Sequence, residues 1–365
     1  MITKTYTKEE RACIAISRAE DSDIRKRLID DLHSGQYDKI LEETDRVGLD
    51  HLIKNMHEQG IFCVTIKSDE YPEGLFDLGA PPITLFCRGN VELLKKPAVS
   101  IVGMRRCTRY GKDVAMKFGA EFASRGIVVV SGLAEGIDTW AHMGAVNAAK
   151  TKGVKELNTI AVLGNGLNVY YPTNNRDLQN QLGEYGLVIS EFMPNGPSTK
   201  TTFPWRNRIV AALGKATVIV EADLKSGTMI TRDWALELGR DVYAVPGPIN
   251  SVASRGTNLI IKDAQCAIVT DVADVLASYG VVVANREKLS GKFDKGDAEL
   301  KPKQSFVQLS FDEKVIMDIL GADEVHFDEL IEKSNMNVRS ITSLLTNMEM
   351  SGLIEKLAGN RFVAS

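Results

Sequence analysis

At 365 residues the chain is long enough for about two or three domains. Lysine and arginine total 44 against 48 acids, a net charge of −4. With 25% charged and 44% hydrophobic residues, broad disorder is excluded and no electrostatic sign of a polyanion partner shows. On total charge alone, nucleic acid is an unexpected ligand.

The cysteines Cys13, Cys63, Cys87, Cys107 and Cys266 are odd in number and form no CxxC pair. They read as buried reduced thiols rather than a disulfide framework or zinc site. The start MITKTYTKEERAC holds no apolar leader. No stretch reaches the ~20 apolar residues of a membrane span. A soluble cytoplasmic protein is expected.

Residues 1–65 read as short helices, with Ile14, Leu28, Leu32, Ile40, Leu49 and Ile53 at three- and four-residue spacings. A short strand, Thr84–Cys87, follows the Ala80-Pro81-Pro82 stop. From about 97 the pattern changes. Apolar runs at Ala98–Val102, Ile127–Val130, Thr159–Leu163, Leu187–Ile189, Thr217–Val220, Val242–Val245 and Ala267–Val269 alternate with helical stretches. Such continuous runs suit strands buried on both faces, and the alternation predicts a doubly wound, mostly parallel α/β sheet. Asn285–Ser305 has no apolar face and reads as a linker. Helices at about 311–320, 326–333 and 338–350, then strands at Leu353–Leu357 and Arg361–Ala364, predict a winged helix.

Chemistry gathers after the strands. Gly103-Met104-Arg105-Arg106-Cys107-Thr108-Arg109 joins a strand to a helix. A glycine, helix-start amides and several guanidiniums suit an anion. It is neither a Walker A loop nor a GxGxxG fingerprint. Ser131-Gly132-Leu133-Ala134-Glu135-Gly136-Ile137-Asp138 repeats the strand–glycine–helix design, with Asp138 a plausible N-cap. His142, with no partner ligand nearby, reads as a packed helix residue. Tyr170-Tyr171-Pro172-Thr173-Asn174-Asn175-Arg176 could stack on and hydrogen-bond bases. Between Pro194 and Ala222, Lys200, Arg206, Arg208 and Lys215 interleave with Phe203 and Trp205, the composition of a single-strand surface. Ser226, Gly227 and Thr228 offer a further anion-facing helix start. Glu221 and Asp223 could instead be acid or base groups of an enzyme.

Taken in order, SIVGMRRCTRYG, VSGLAEGID, AVLGNGLNVYYPTNN, SEFMPNGPSTKTTFPWRNRIVAAL, VIVEADLKSGTMIT and GRDVYAVPGPINSVASRGTNLIIKDA resemble the signatures of the DNA-processing protein A family, DprA or Smf. The resemblance is dense over about 70–280. It implies a helical, SAM-like module at 1–65, a Rossmann-like single-stranded DNA-binding core at 66–282, a linker at 283–308 and a winged helix at 309–365. It implies a cytoplasmic, non-enzymatic protein that protects incoming single strands and loads the RecA recombinase in natural transformation. It also implies a homodimer through the core, with no cofactor and no metal. Its signatures map to Gly103, Arg105, Ser131, Gly132, Gly136, Tyr171, Asn175, Phe203, Arg206, Asn207 and Arg208, with Arg176 following; with Arg106, which is not a signature position, and Thr108, Lys200, Ser226 and Thr228 from the loops themselves, these are the expected DNA-binding residues. Asp312, Glu313, Asp318, Asp323, Glu324, Asp328, Glu329 and Glu332 make the winged helix acidic, so a packing or protein-partner role is expected of it rather than a grip on DNA. The core also resembles nucleoside-monophosphate phosphoribohydrolases of the lysine decarboxylase-like fold, but Lys225-Ser226-Gly227-Thr228 lacks their double glycine.

Overall fold

The computed structural model describes residues 4–279 except 20 and 45, and 311–364 except 321–323, 335, 337, 351–352 and 358. The linker expected at 283–308 lies outside the described residues.

Four helices come first: α1 (Lys8–Ile16), α2 (Ser22–His33), α3 (Tyr37–Glu43) and α4 (Arg46–Glu58). Thr7 and Glu10 cap α1 reciprocally, and the Asp21 carboxylate accepts the amides of Asp23 and Ile24 at the start of α2. Ile14, Leu28, Leu32, Ile40 and Leu49 share one core with Leu133, Ala161, Leu178 and Leu182. The helices therefore pack onto the sheet.

Residues 62–65, expected to be helical, instead form strand β1 (Phe62–Thr65). It is antiparallel to β2 (Thr84–Gly89). All four residues of β1 are buried. A run this short carries no periodicity to separate strand from helix. Then come β3 (Ala98–Val102), α5 (Arg109–Ser124), β4 (Val128–Ser131), α6 (Ile137–Lys152), β5 (Thr159–Val162), α7 (Arg176–Tyr185) and β6 (Leu187–Ser190). They are followed by α8 (Thr202–Leu213), β7 (Ala216–Ile219), α9 (Thr228–Glu237), β8 (Asp241–Ala244), α10 (Arg255–Lys262), β9 (Ala267–Ile268) and α11 (Val272–Leu276).

The sheet order is β1-β2-β6-β5-β4-β3-β7-β8-β9, parallel from β6 to β9. This is the doubly wound, Rossmann-like architecture expected. Val99, Ile101, Val129 and Val218 face α5, α6 and α11, while Val102, Val130, Val162 and Ile219 face α8, α9 and α10. Both faces are dry, which is why the strands lack a polar alternation. Strand order reverses at β3, with β4 on one side and β7 on the other. The loops leaving β3 and β7 diverge there and open a crevice at the carboxyl edge. Because α8 follows β6 and precedes β7, it crosses the sheet beneath that crevice, touching β3, β4 and β5.

The second unit comprises α12 (Phe311–Leu320), β10 (Val325–His326), α13 (Phe327–Ser334), α14 (Val338–Met350), β11 (Ile354–Leu357) and β12 (Arg361–Ala364). Ile316, Leu330, Ile341, Leu345 and Phe362 form its own core. The expected two-stranded wing gains β10 as a third strand, in the order β10-β12-β11.

Leu49 is fully buried where the helical segment meets the sheet. Leu49→Ala should cost about 2–5 kcal/mol, read as a lower urea midpoint by circular dichroism.

Candidate nucleic-acid interface

The β3 loop is anchored at both ends. The Met104 amide donates to the Glu221 carbonyl at 2.9 Å. The Thr108 amide and hydroxyl both donate to the Glu221 carboxylate, at 2.9 and 2.5 Å. Thr108 Oγ1 in turn accepts the Gly111 amide at 3.1 Å and caps α5. Glu221 is buried and spent on this brace, and Asp223 pairs with Arg255 at 3.1 Å. Between the anchors, Arg105 and Arg106 stay exposed.

The β4 loop folds around Asp138. This residue is not the N-cap of α6. That place belongs to Gly136, at φ +80°, where a Cβ would sit 2.3 Å from the Arg105 carbonyl oxygen. Asp138 lies in the first turn and accepts the Gly132 and Ala134 amides at 3.2 and 3.3 Å. Burial raises its pKa, with the nearby Arg206 charge and these hydrogen bonds opposing the rise.

Arg206 projects from α8 behind Gly132 and is 4% exposed. Its Nη1 donates to the Val162 carbonyl, and its Nε has no protein partner among the described residues. A Cβ on Gly132 would meet Nη1 at 2.1 Å, so a side chain there would displace the guanidinium from this position. Burial lowers the Arg206 pKa to about 10, against the pull of Asp138. Arg206 therefore remains a cation at neutral pH.

A cavity of about 650 Å³ opens above these groups. It brings together Gly103, Arg105, Gly132, Tyr171, Lys200, Phe203, Arg206, Asn207, Ser226 and Thr228 from five separate motifs. An adjoining recess of about 240 Å³ shares Arg105, Tyr171, Phe203 and Arg206 and adds Gly164, Asn165 and Thr173. The Tyr171 and Phe203 rings lie 5.1 Å apart at 36°, and the Arg105 guanidinium stands 5.5 Å from the Phe203 ring. Arg105, Lys200 and Arg206 thus share one cavity with an aromatic pair and with the Asp138 carboxylate.

Other expected residues are placed elsewhere. Arg106 and Thr108 flank the cavity without lining it. Ser131 is buried and donates to the Ile101 carbonyl at 2.7 Å. Asn175 is buried and donates to the Leu133 carbonyl at 2.9 Å, holding the β4 loop. Gly136 supplies the turn. Arg176 lies 4.8 Å over the Tyr170 ring. Arg208 points away from the cavity, because two helical positions after Arg206 turn it by roughly 200°. It is 2% exposed, pairs with Glu191 and packs 4.4 Å over Trp205. Lys215 stands just before β7, at the opposite edge of the sheet. Sequence reading missed Ser198, Thr199 and Thr231 in the lining. The hydroxyls flanking Lys200, and the one-turn spacing of Thr231 from Thr228, were the available signals.

His142 packs below this site and is fully buried. The Thr159 hydroxyl donates to the Val129 carbonyl at 2.7 Å, so its oxygen accepts His142 Nδ1–H, also at 2.7 Å. Burial, with Arg206 adding repulsion, lowers the pKa from 6.5 to about 3. A depressed histidine contributes stability that is complete above the unfolded pKa. It is lost as pH falls from about 6.5 toward 3, at about 1.4 kcal/mol per unit. Between pH 7 and pH 5, His142→Gln should therefore lose about 2 kcal/mol less than the native chain in urea unfolding.

Comparison with known proteins agrees with this architecture. The model of the DNA recombination-mediator protein A family matches residues 62–280, and that of the DprA winged helix domain matches 301–360. DNA processing protein DprA of Streptococcus pneumoniae is 41% identical over 230 residues, 63% of this chain and 77% of that one. Protein Smf of Escherichia coli is 33% identical over 299 residues, 81% and 75% of the two chains. The X-ray structure of S. pneumoniae DprA superposes with a TM-score of 0.61 at 34% identity, over 75% of this chain and 98% of that one. The structure of DNA processing protein A from Helicobacter pylori, described for its single-stranded DNA binding mode, gives 0.53 at 31% identity, over 60% and 95%. Its family model, its relatives and its solved neighbours agree: this chain belongs to the DprA/Smf family.

Proposed function

We propose that the chain captures single-stranded DNA in the crevice at the carboxyl edge of its sheet. The observation that carries this reading is that Arg105, Lys200 and Arg206 line one cavity with the Tyr171–Phe203 pair, Arg105 lying against the Phe203 ring. Phosphates meet the guanidiniums and the glycine-loop amides, while unstacked bases meet the rings and Asn207. Duplex DNA keeps its bases stacked and cannot offer them. The single-strand binding described for the H. pylori relative supports the same reading. Glu221 and Asp223, read from the sequence as possible acid or base groups, are held by Thr108 and Arg255 and stand outside the lining, and Asp138, which lines the cavity, is taken up by the Gly132 and Ala134 amides. This favours binding over hydrolysis of nucleoside monophosphates.

Family membership extends the proposal to protection of incoming strands and loading of RecA in the cytoplasm, during transformation or recombination. A RecA-loading assay on the bound strand tests that step. A homodimer through the core fits the last strand, β9, which pairs only with β8 among the described residues. Ile268 on that strand is 52% exposed. An open strand edge with an exposed apolar side chain is a pairing surface. Two crevices on a dimer would hold one strand more tightly through effective concentration.

Two measurements test these points. In fluorescence anisotropy with oligothymidylate across a salt series, Arg105→Ala should weaken binding to every sequence alike and reduce the salt slope by about one. Native binding by folded Arg105→Ala and Arg206→Ala proteins overturns the crevice as the site. Ile268→Arg should convert a dimer to a monomer in light scattering, and an unchanged mass rejects the β9 edge.

A further inference from the structure

The amino edge of the same sheet carries a separate concavity of about 740 Å³. Lys95, Lys96, Arg125 and Lys215 line it, and no carboxylate does. Two of the four are partly answered nearby: Arg125 pairs with the half-buried Glu121 at 3.1 Å and Lys95 with the exposed Glu92 at 3.9 Å. Lys96 reaches only the Asn158 amide oxygen, at 3.4 Å, and Lys215 stands 5.8 Å from the Tyr279 ring centroid. Neither has a carboxylate partner among the described residues. In a chain of net charge −4, Lys96 and Lys215 thus leave a local excess of positive charge here.

Its chemistry differs from that of the DNA crevice. The one aromatic residue in the lining, Tyr279, is half-buried and pinned by its hydroxyl, which donates to the Ala98 carbonyl at 2.7 Å. The concavity therefore offers no open ring for a base to stack on, which single-strand surfaces require. What remains is a rim of ammonium groups above Pro97 and the aliphatic stems of the lysines.

We propose that this concavity docks an acidic peptide bearing an apolar side chain, presented by a partner protein. Its carboxylates would meet Lys96, Lys215 and Arg125, and its apolar side chain would lie on Pro97. The site opens at the opposite ends of the strands from the DNA crevice, so peptide and DNA fit simultaneously. The proposal stands or falls independently of DNA binding.

Fluorescence polarisation of the full chain tests it, with a fluorescein-labelled probe of four aspartates followed by Leu-Phe. Saturable binding that weakens with salt is expected. The double variant Lys96→Glu/Lys215→Glu should bind about tenfold or more weakly. Lys96→Gln/Lys215→Gln should fall between the two, with native thermal melting confirming both folds. Replacing Leu-Phe by Ala-Ala in the probe should also weaken binding. Saturating oligothymidylate should leave the probe bound. No saturable binding, equal affinity of native and variant proteins, or displacement of the probe by oligothymidylate overturns the proposal.

Discussion

A guanidinium buried behind a glycine sets the geometry of the carboxyl edge. Arg206 is 96% sequestered from solvent by the same packing that leaves it 4% exposed. A buried cation is costly unless nearly every donor is answered. The Val162 carbonyl takes Nη1 and the Asp138 charge lies close, but Nε stays without a protein partner among the described residues. Asp138 is meanwhile occupied by the Gly132 and Ala134 amides. Helix α8, the β4 loop and the end of β5 are thus tied through one side chain. The same residue lines the cavity, although its Nε is itself buried. The site is therefore preorganised, and binding need not order a long flexible cation.

Total charge is a poor guide to the field inside the crevice. The −4 balance argued against nucleic acid because it averages over surfaces that do not share a field. Many acids sit in the winged helix, whose α12 and α13 begin with Asp312, Glu313, Asp328 and Glu329. The cations of the crevice stand within one concavity whose low-dielectric walls focus their potential. Local geometry decides whether phosphate is attracted, and geometry is invisible to a sum.

What was legible in the sequence follows the same distinction. Strands β3 to β9 were readable because burial on both faces removes polar residues from them, leaving runs that only turns interrupt. β1 was not, since Phe62–Thr65 has no flanking βα rhythm and follows four helices. Gly103, Gly132, Arg105 and Phe203 could be picked out as motif residues, but their convergence depends on the strand-order reversal at β3 and on α8 crossing the sheet. Arg208 shows the limit most clearly. It shares a motif and a charge with Arg206, yet helical rotation sends one to the cavity and the other to Glu191. Asp138 looked like a cap because caps are local. Its actual partners are loop amides that precede its own helix.

Parallel strands give the sheet a chemical polarity that explains why its two edges differ. Every following helix begins at the carboxyl edge, so free amides collect there and favour anions. Every helix ends at the amino edge, where carbonyls favour cations. Arg125 at the end of α5, and Lys150 and Lys152 in the last turn of α6, are answered by that rule. Lys215 directly follows the Gly214 C-cap of α8 and Lys96 caps the 3-10 turn Val91–Lys95, so both also stand at carbonyl ends. Unlike Arg125, neither pairs with a carboxylate among the described residues. Positive charge at the carboxyl edge thus extends what the backbone already provides. At the amino edge the carbonyl ends gather cations, and the two left without a carboxylate are what an acidic partner would read.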